Sequence, residues 1–526
     1  MNAMKKYLVL LLTLLPFGIQ AQEVSTLYFL DNAPMRHLLN PSFQPVSNGY
    51  VNLTPLGYMS TWEGNNSITL SDVLYVAPNG STVTPLHPEY GDPNKFYDTF
   101  HNPTSFSTSN AINFVGFGFR IKEVGYFTFG TMLKLDGNTR VPRDLVEYTI
   151  GGGKASVTQP TVLNFASFGS NTQVYTEIAG GYSHKINDTW TVGGKLKFLM
   201  GTAYIGLQHK DLTCTSSVNQ MSLQGNGNVL LAGPLNLSAL PDRINYESLQ
   251  NYDYSKLLYD NGEAILDMIL NYVKPAGYGA AVDLGVTIHP IQQLQLSVAI
   301  NDLGFIYWTK GVKYQSSVDT TFAGVGDLEY KDYVVNNQFS TDKLLTDVEQ
   351  RLTRLELAYT LQDRQQYFTR MVTSKLNIGI DGQFFDNRLD VGLVSRTMFY
   401  NNHISEEVTV GLAGKPFPWL NLAVSYSLLN NGKNSNIGAG LSLMPYDGIN
   451  LTLAMDYIPT FYAQYDGKNV IPSRSKGVNL ALGFSIVWGT NPKKEKAQPT
   501  KPAKSAKPAK SAKPAEPTQP DQTTNQ

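Results

Sequence analysis

One cysteine, Cys214, stands among 526 residues, so the chain can form no internal disulfide and no multi-thiolate zinc or iron–sulfur site. Charge is also scarce. Asp, Glu, Lys and Arg make up 16% of the sequence, against about a quarter in soluble domains. The 41 basic and 42 acidic side chains leave a formal net charge of -1, which excludes the cationic footprint of a nucleic-acid binder. Beyond the N-terminus no apolar run approaches the roughly 18 residues of a membrane-crossing helix. The seven histidines are scattered, with no H-E-x-x-H or comparable ligand spacing, so neither a metal nor a cofactor is expected. Helical membrane proteins and disulfide scaffolds are thereby excluded.

What the chain does have is aromatic and alternating. Thirty Tyr and 24 Phe help bring aromatics to 11%, and long stretches alternate a large apolar residue with a small or polar one. In residues 277–288, Tyr278, Ala280, Val282, Leu284, Val286 and Ile288 share one face, opposite Gly277, Gly279, Ala281, Asp283, Gly285 and Thr287. The same split runs through Leu420–Leu428 and Gly477–Trp488. Such runs last about 10 to 13 residues, twice the usual globular strand, and suit a tilted strand that crosses a bilayer in about 9–11 residues.

Marking every run predicts about 14 strands, at 49–62, 111–121, 125–137, 173–186, 189–204, 277–289, 292–308, 372–385, 388–400, 405–415, 418–429, 435–445, 448–458 and 476–488. Their connections alternate. Short turns fall at Lys122–Val124, Asn187–Asp188, Pro290–Ile291, Asp386–Asn387, Pro416–Phe417 and Tyr446–Asp447; between them lie the long segments 63–110, 138–172, 205–276 and 309–371. A β-sandwich would turn every 8–12 residues and carry more surface charge. The expected fold class is therefore all-β, a transmembrane antiparallel β-barrel of about 14 strands with short periplasmic turns and long outer loops. Both termini would then be periplasmic.

Four segments follow. Residues 1–21 read as a signal peptide, with Lys5 and Lys6 before an apolar core and cleavage after Ala21. Residues 22–45 include Tyr28, Phe29, Leu30, Leu38, Leu39 and Phe43, too apolar to hang in water, and are expected to fold into the lumen as a plug that turns at Asn40–Pro41. Residues 46–489 form the barrel. From 490 to 526 the composition shifts to Lys, Pro and Ala, with eight lysines against three acids, and a disordered periplasmic tail is expected. Within the outer loops, the stripe Leu344, Leu345, Val348, Leu352 and Leu355 predicts a helix over 341–357, and a second helix is expected over Ser255–Val273.

Patterns that suggest catalysis fail on inspection. Gly151, Gly152, Gly153 and Lys154 resemble a phosphate loop, but Tyr148 and Ala155 stand where a glycine and a hydroxyl are required. Ser473 and Lys476 match S-x-x-K without its partner motifs. His184 and His289, the histidines available to a Ser–His pair, both lie beside expected turns. No catalytic, metal or cofactor-binding residue is assigned.

The stretch LYFLDNAPMRHLLNPSFQP, the hairpin GYSHKINDTWTVGGKLKFLMG, the segment AAVDLGVTIHPIQQLQLSVAINDLGFIYW and the closing strand KGVNLALGFSIVWG resemble an uncharacterised family of Bacteroidota-type outer-membrane barrels. That family is more distantly similar to the FadL-like fatty-acid transporters and to PorV. The resemblance covers nearly all of 25–489. It implies a 14-stranded barrel in outer-membrane lipid, with no enzymatic activity and no characterised ligand-binding residue. Two functions stay open. One is FadL-like passage of a hydrophobic small molecule; the other is a PorV-like structural or accessory role in an outer-membrane protein complex.

Overall fold

The computed structural model describes residues 24–489 apart from 54–56, 81, 88, 152–159, 218–219, 235, 246–247, 249–250, 254–255, 257–273, 324–329, 336–337, 356, 401–403, 430–433, 447, 460–461, 466–468 and 473–474. The expected signal peptide and tail, nearly all of the helix expected at 255–273, and Ser473 lie outside the described residues.

The long alternating runs form one closed antiparallel wall of 14 strands. They are β1 (Gly49–Leu53 and Tyr58–Asn65), β2 (Thr104–Ile121), β3 (Gly125–Val141), β4 (Gly169–Lys185), β5 (Trp190–Ser216), β6 (Gly277–Ile291) and β7 (Leu294–Trp308). The others are β8 (Phe368–Met371 and Ser374–Phe384), β9 (Leu389–Phe399), β10 (Ile404–Phe417), β11 (Leu420–Leu429), β12 (Asn434–Tyr446), β13 (Ile449–Asp456) and β14 (Gly477–Trp488). Closure comes where β14 pairs with β13, Leu482 opposite Leu453, and with β1, Gly483 opposite Tyr58 and Gly49 opposite Trp488.

The alternation sets the facing. Leu284, Leu422 and Leu482 point outward and are 56%, 43% and 39% exposed, while Asp283 and Asn421 are buried at 1% and 0%. Outward aromatic residues gather at the two ends of the wall. Tyr182, Trp190, Phe384, Phe417, Trp419 and Trp488 lie at the tight-turn end; Tyr278, Tyr307, Tyr367, Phe399 and Tyr426 lie toward the long-loop end. On β5, Trp190 and the residue paired with Tyr278, Met200, are separated along one strand. At about 3.3 Å per residue and a tilt of about 40°, that separation is about 25 Å, the height of an outer-membrane barrel's apolar band.

The structure corrects the expected loops. Residues 205–216 and 220–232 of the expected loop are strand, because β5 continues to Ser216 and the strand Gln220–Ala232 pairs back on it and on with Gly311–Ala323. β2 likewise starts at Thr104, seven residues before its expected start at 111. The run Gln224–Asn228, QGNGN, breaks the apolar alternation and reads locally as a turn, yet it is held by pairing to Ser317 and Lys210 from distant segments. The β6–β7 turn also falls two residues after the expected Pro290–Ile291, since β6 runs through Ile291. Among the described residues two helices pack on this raised sheet: α1 (Arg143–Gly151) and α2 (Thr341–Arg354). Tyr148 from α1 and Leu355 after α2 join Leu163, Phe165, Leu212, Cys214 and Leu223 in a buried cluster, so the single thiol is a core residue. Gly151, of the phosphate-loop resemblance, ends α1.

The plugged lumen as the candidate functional site

The apolar plug residues cannot face water, and the structure gives them an interior. Val24, Leu27, Tyr28, Phe29, Leu30, Leu39 and Phe43 are all buried, in a cluster completed by the inward wall residues Val394, Ala413, Ala423, Ala454 and Ala481. The segment folds as two short 3-10 turns, Ser25–Phe29 and Pro34–Leu38. It turns at Asn40 as expected, where Phe43 N–H donates to the Asn40 carbonyl at 3.0 Å. Tyr28 packs edge-on against Phe29 and Phe43, and the Arg36 guanidinium lies over Phe43 at 4.2 Å.

The small face of the wall is what admits this segment. A Cβ on Gly285 would stand 2.0 Å from Asn40 Oδ1, one on Gly411 2.3 Å from the Phe29 ring, and one on Gly193 2.2 Å from the Pro41 carbonyl oxygen. Only hydrogen fits there. Around the glycines, polar side chains hold the plug's backbone. Asp456 accepts from Ser25 N–H at 2.6 Å and Thr26 N–H at 3.3 Å; Glu407 accepts from Ser25 Oγ at 2.9 Å. Tyr28 donates to Asp381 at 2.8 Å, and burial pushes its phenol well above the ordinary tyrosine range. Lys415 pairs with Asp31 at 2.5 Å, Asn301 and Asn377 donate to the Leu39 carbonyl, and Lys195 Nζ donates to the His37 carbonyl at 2.8 Å. His37 itself is bonded to Tyr50 OH at 2.7 Å. Burial, then the nearby Lys195 ammonium, hold its imidazole well below the usual histidine range.

A buried cluster of charges sits beside the plug. Lys134 and Lys197 reach Asp302 at 3.1 and 2.6 Å, Lys134 reaches Glu177 at 2.7 Å, and Lys197 reaches Asp283 at 2.8 Å. Asp302 adopts φ +57° at a bulge where the β6–β7 register shifts, and its N–H donates to Asp283 at 2.7 Å. The bulge re-aims one residue out of the alternation. Buried charges at this density are stable only when mutually paired.

Sequence reasoning placed Asp283 on the small face of its strand but found none of Lys134, Glu177, Lys197 or Asp302 as a group. The legible signal was the isolated charge on the small face of a strand; the grouping required knowing which strands meet. His289 lines a polar cavity of about 190 Å³ with Arg36, Thr191, Thr287 and Gln295. His184 lies apart from it, near Tyr182. The structure thus brings the two histidines to no common serine site. Among the described residues no group of three or more His, Cys, Asp and Glu is placed to hold a metal.

The model of the family described as "Family of unknown function (DUF5723)" matches residues 41–456. The chain belongs to that family. The DUF5723 match opens at Pro41, at the plug's turn, and ends at Asp456, the carboxylate that holds Ser25. No curated protein matches the sequence. Among solved structures this DUF5723 chain is similar to the toluene transporter TbuX of Ralstonia pickettii, at 10% identity and a TM-score of 0.41 over 87% of this chain and 95% of that one. It is similar also to the Pseudomonas putida toluene transporter TodX, at 10% identity and 0.37 over 89% and 99%. A Pseudomonas aeruginosa FadL homologue matches at 9% identity and 0.38 over 90% and 100%. Likeness at this level assigns no cargo to the chain.

Proposed function

We propose that this protein is an integral outer-membrane barrel, with its termini in the periplasm, whose N-terminal segment is a displaceable gate for a hydrophobic small molecule. The observation that carries the reading is how the plug is seated. Its backbone is held by polar side chains on a bed of glycines, and the wall's share of the shared apolar cluster is mostly alanine, Ala413, Ala423, Ala454 and Ala481, so lifting the plug uncovers little apolar wall surface. Two aromatic belts about 25 Å apart and the outward apolar face support an outer-membrane location. Removal of residues 24–44 is the direct test. The expected result is faster uptake of a hydrophobic dye by cells, with the barrel still inserted and heat-modifiable; unchanged uptake by an inserted barrel sinks the gate.

A second reading, an accessory subunit in the manner of PorV, has one observation in its favour. On α2, Leu345 and Leu352 are left 47% and 42% exposed, one helical stripe that no described residue covers. Co-purification of a stoichiometric outer-membrane partner, lost on Leu345→Lys with Leu352→Lys, would establish it.

A further inference from the structure

Between the plug and the wall at β2–β4 lies a cavity of about 30 Å³. Its outer side is a row of residues too small to fill it: Gly116 stands opposite Gly130, and Gly130 opposite Ala179, on three neighbouring strands. Met35, His37 and Leu38 of the plug close it from within, and Tyr58 and Met132 add apolar surface.

Asn52 and His37, buried polar side chains lining this cavity, are incompletely bonded. Asn52, 3% exposed, donates from Nδ2 to Met35 Sδ at 3.3 Å and leaves Oδ1 without a partner. His37, 8% exposed, meets Tyr50 through Nε2 and leaves Nδ1 without one. A buried polar atom in that state carries its desolvation penalty uncompensated. The charged groups on the same cavity are engaged elsewhere, Lys195 with the His37 carbonyl and Glu177 with Lys134 at 2.7 Å. An anionic ligand would face Glu177 and a cationic one Lys195, neither with a free counter-charge.

We infer that this cavity is a binding site for a neutral, mainly apolar molecule bearing one hydroxyl, with the hydroxyl donating to Asn52 Oδ1 and accepting from His37 Nδ1. The second bond uses the imidazole tautomer in which Tyr50 donates to Nε2. The inference rests on the gate reading and names the cargo chemistry at that gate. The cavity holds little more than a water's share of liquid volume, roughly 30 Å³, so a larger occupant must lift Met35 and Leu38. Binding and plug release then become one event, because the ligand favours the displaced plug.

The test uses the full-length protein in detergent with three probes of one shape: 4-propylphenol, propylbenzene and 4-propylbenzoate. Calorimetric titration is expected to show the phenol binding at least about tenfold more tightly than the hydrocarbon, with no binding of the benzoate, since a site built for a hydroxyl rejects the analogue that lacks it. Tryptic cleavage at Arg36 should rise with phenol occupancy. Asn52→Leu should bring phenol and hydrocarbon to within about twofold. Gly130→Val should abolish both, because a Cβ there finds no atom nearer than 3.6 Å and simply fills the hollow. His37→Phe serves as the second head-group variant, and heat-modifiable migration checks that each variant folds. Equal binding of phenol and hydrocarbon to the unmodified protein, a preference that survives in both head-group variants, or no binding of any probe overturns the site. The dye-uptake test on the plug deletion is independent of these results, so the gate reading stands or falls separately.

Discussion

At the scale of single residues, the seat of the plug is decided by atoms that are absent. Gly285 and Gly411 leave room for Asn40 and Phe29, and a leucine at either position must push the plug inward. Overpacking of this kind costs about 1–3 kcal/mol, or roughly 5–150-fold in the population of the seated state. Gly411→Leu should therefore raise the rate of tryptic cleavage at Arg36 by about that factor while the barrel remains folded; protection equal to the parent's would show that Phe29 does not hold the plug down. His37 gives a pH dependence at the same site. Its imidazole is buried neutral beside Lys195, with its pKa lowered, whereas an exposed histidine takes its proton near pH 6.5. Below about pH 6.5 the displaced plug binds a proton that the seated plug refuses, so seating is strongest above that pH and weakens as the pH falls. Arg36 cleavage should accelerate between about pH 6.5 and 5 in the parent and lose that acceleration in His37→Gln. An identical profile in the two proteins assigns the titration to another group.

At the scale of elements, each strand carries two environments on alternate residues, and the lumenal one is not uniform. Leu284→Arg puts a charge on the lipid face and should cost insertion about 2–4 kcal/mol near the midplane. Asp283→Arg would not be the benign inward comparison, since Asp283 pairs with Lys197 at 2.8 Å. Thr191, which lines the polar cavity of about 190 Å³, has space for the side chain. Thr191→Arg should insert like the parent and Leu284→Arg should fall behind, read as the fraction of heat-modifiable barrel in outer-membrane preparations. Equal yields would contradict the facing of the whole wall. Of the loop elements, α2 was legible from its apolar stripe, to which the structure adds a Ser340 N-cap and a basic last turn. The strands Gln220–Ala232 and Gly311–Ala323 were not, because their pairing partners lie far away in sequence and glycine interrupts the alternation.

At the scale of the whole molecule, the tight turns gather at one end of the barrel and the raised sheet with its helices at the other. A cysteine at Thr341→Cys should react with an impermeant maleimide on intact cells, and one at Ser505→Cys should react only after the outer membrane is opened. Cys214 is fully buried and contributes no background. The reverse pattern would invert the barrel. Truncation after Asn491 is expected to leave insertion and heat-modifiability unchanged, because the composition from 490 onward cannot build a core.

The sequence by itself determined the wall. A period of two over 10 or more residues puts alternate side chains on opposite faces, and the alternation of short and long connections orders the 14 strands without reference to any contact. It determined too that residues 22–45 need a dry place, for their apolar content leaves no other. Tertiary structure decided the rest: which glycines receive the plug, why Asp302 turns inward at a bulge, and how Lys134, Glu177, Lys197 and Asp283 meet although they come from four strands. The physical reason is that facing depends on a residue's own strand, whereas the lumen's contents depend on which strands stand across from one another, and barrel closure fixes that relation.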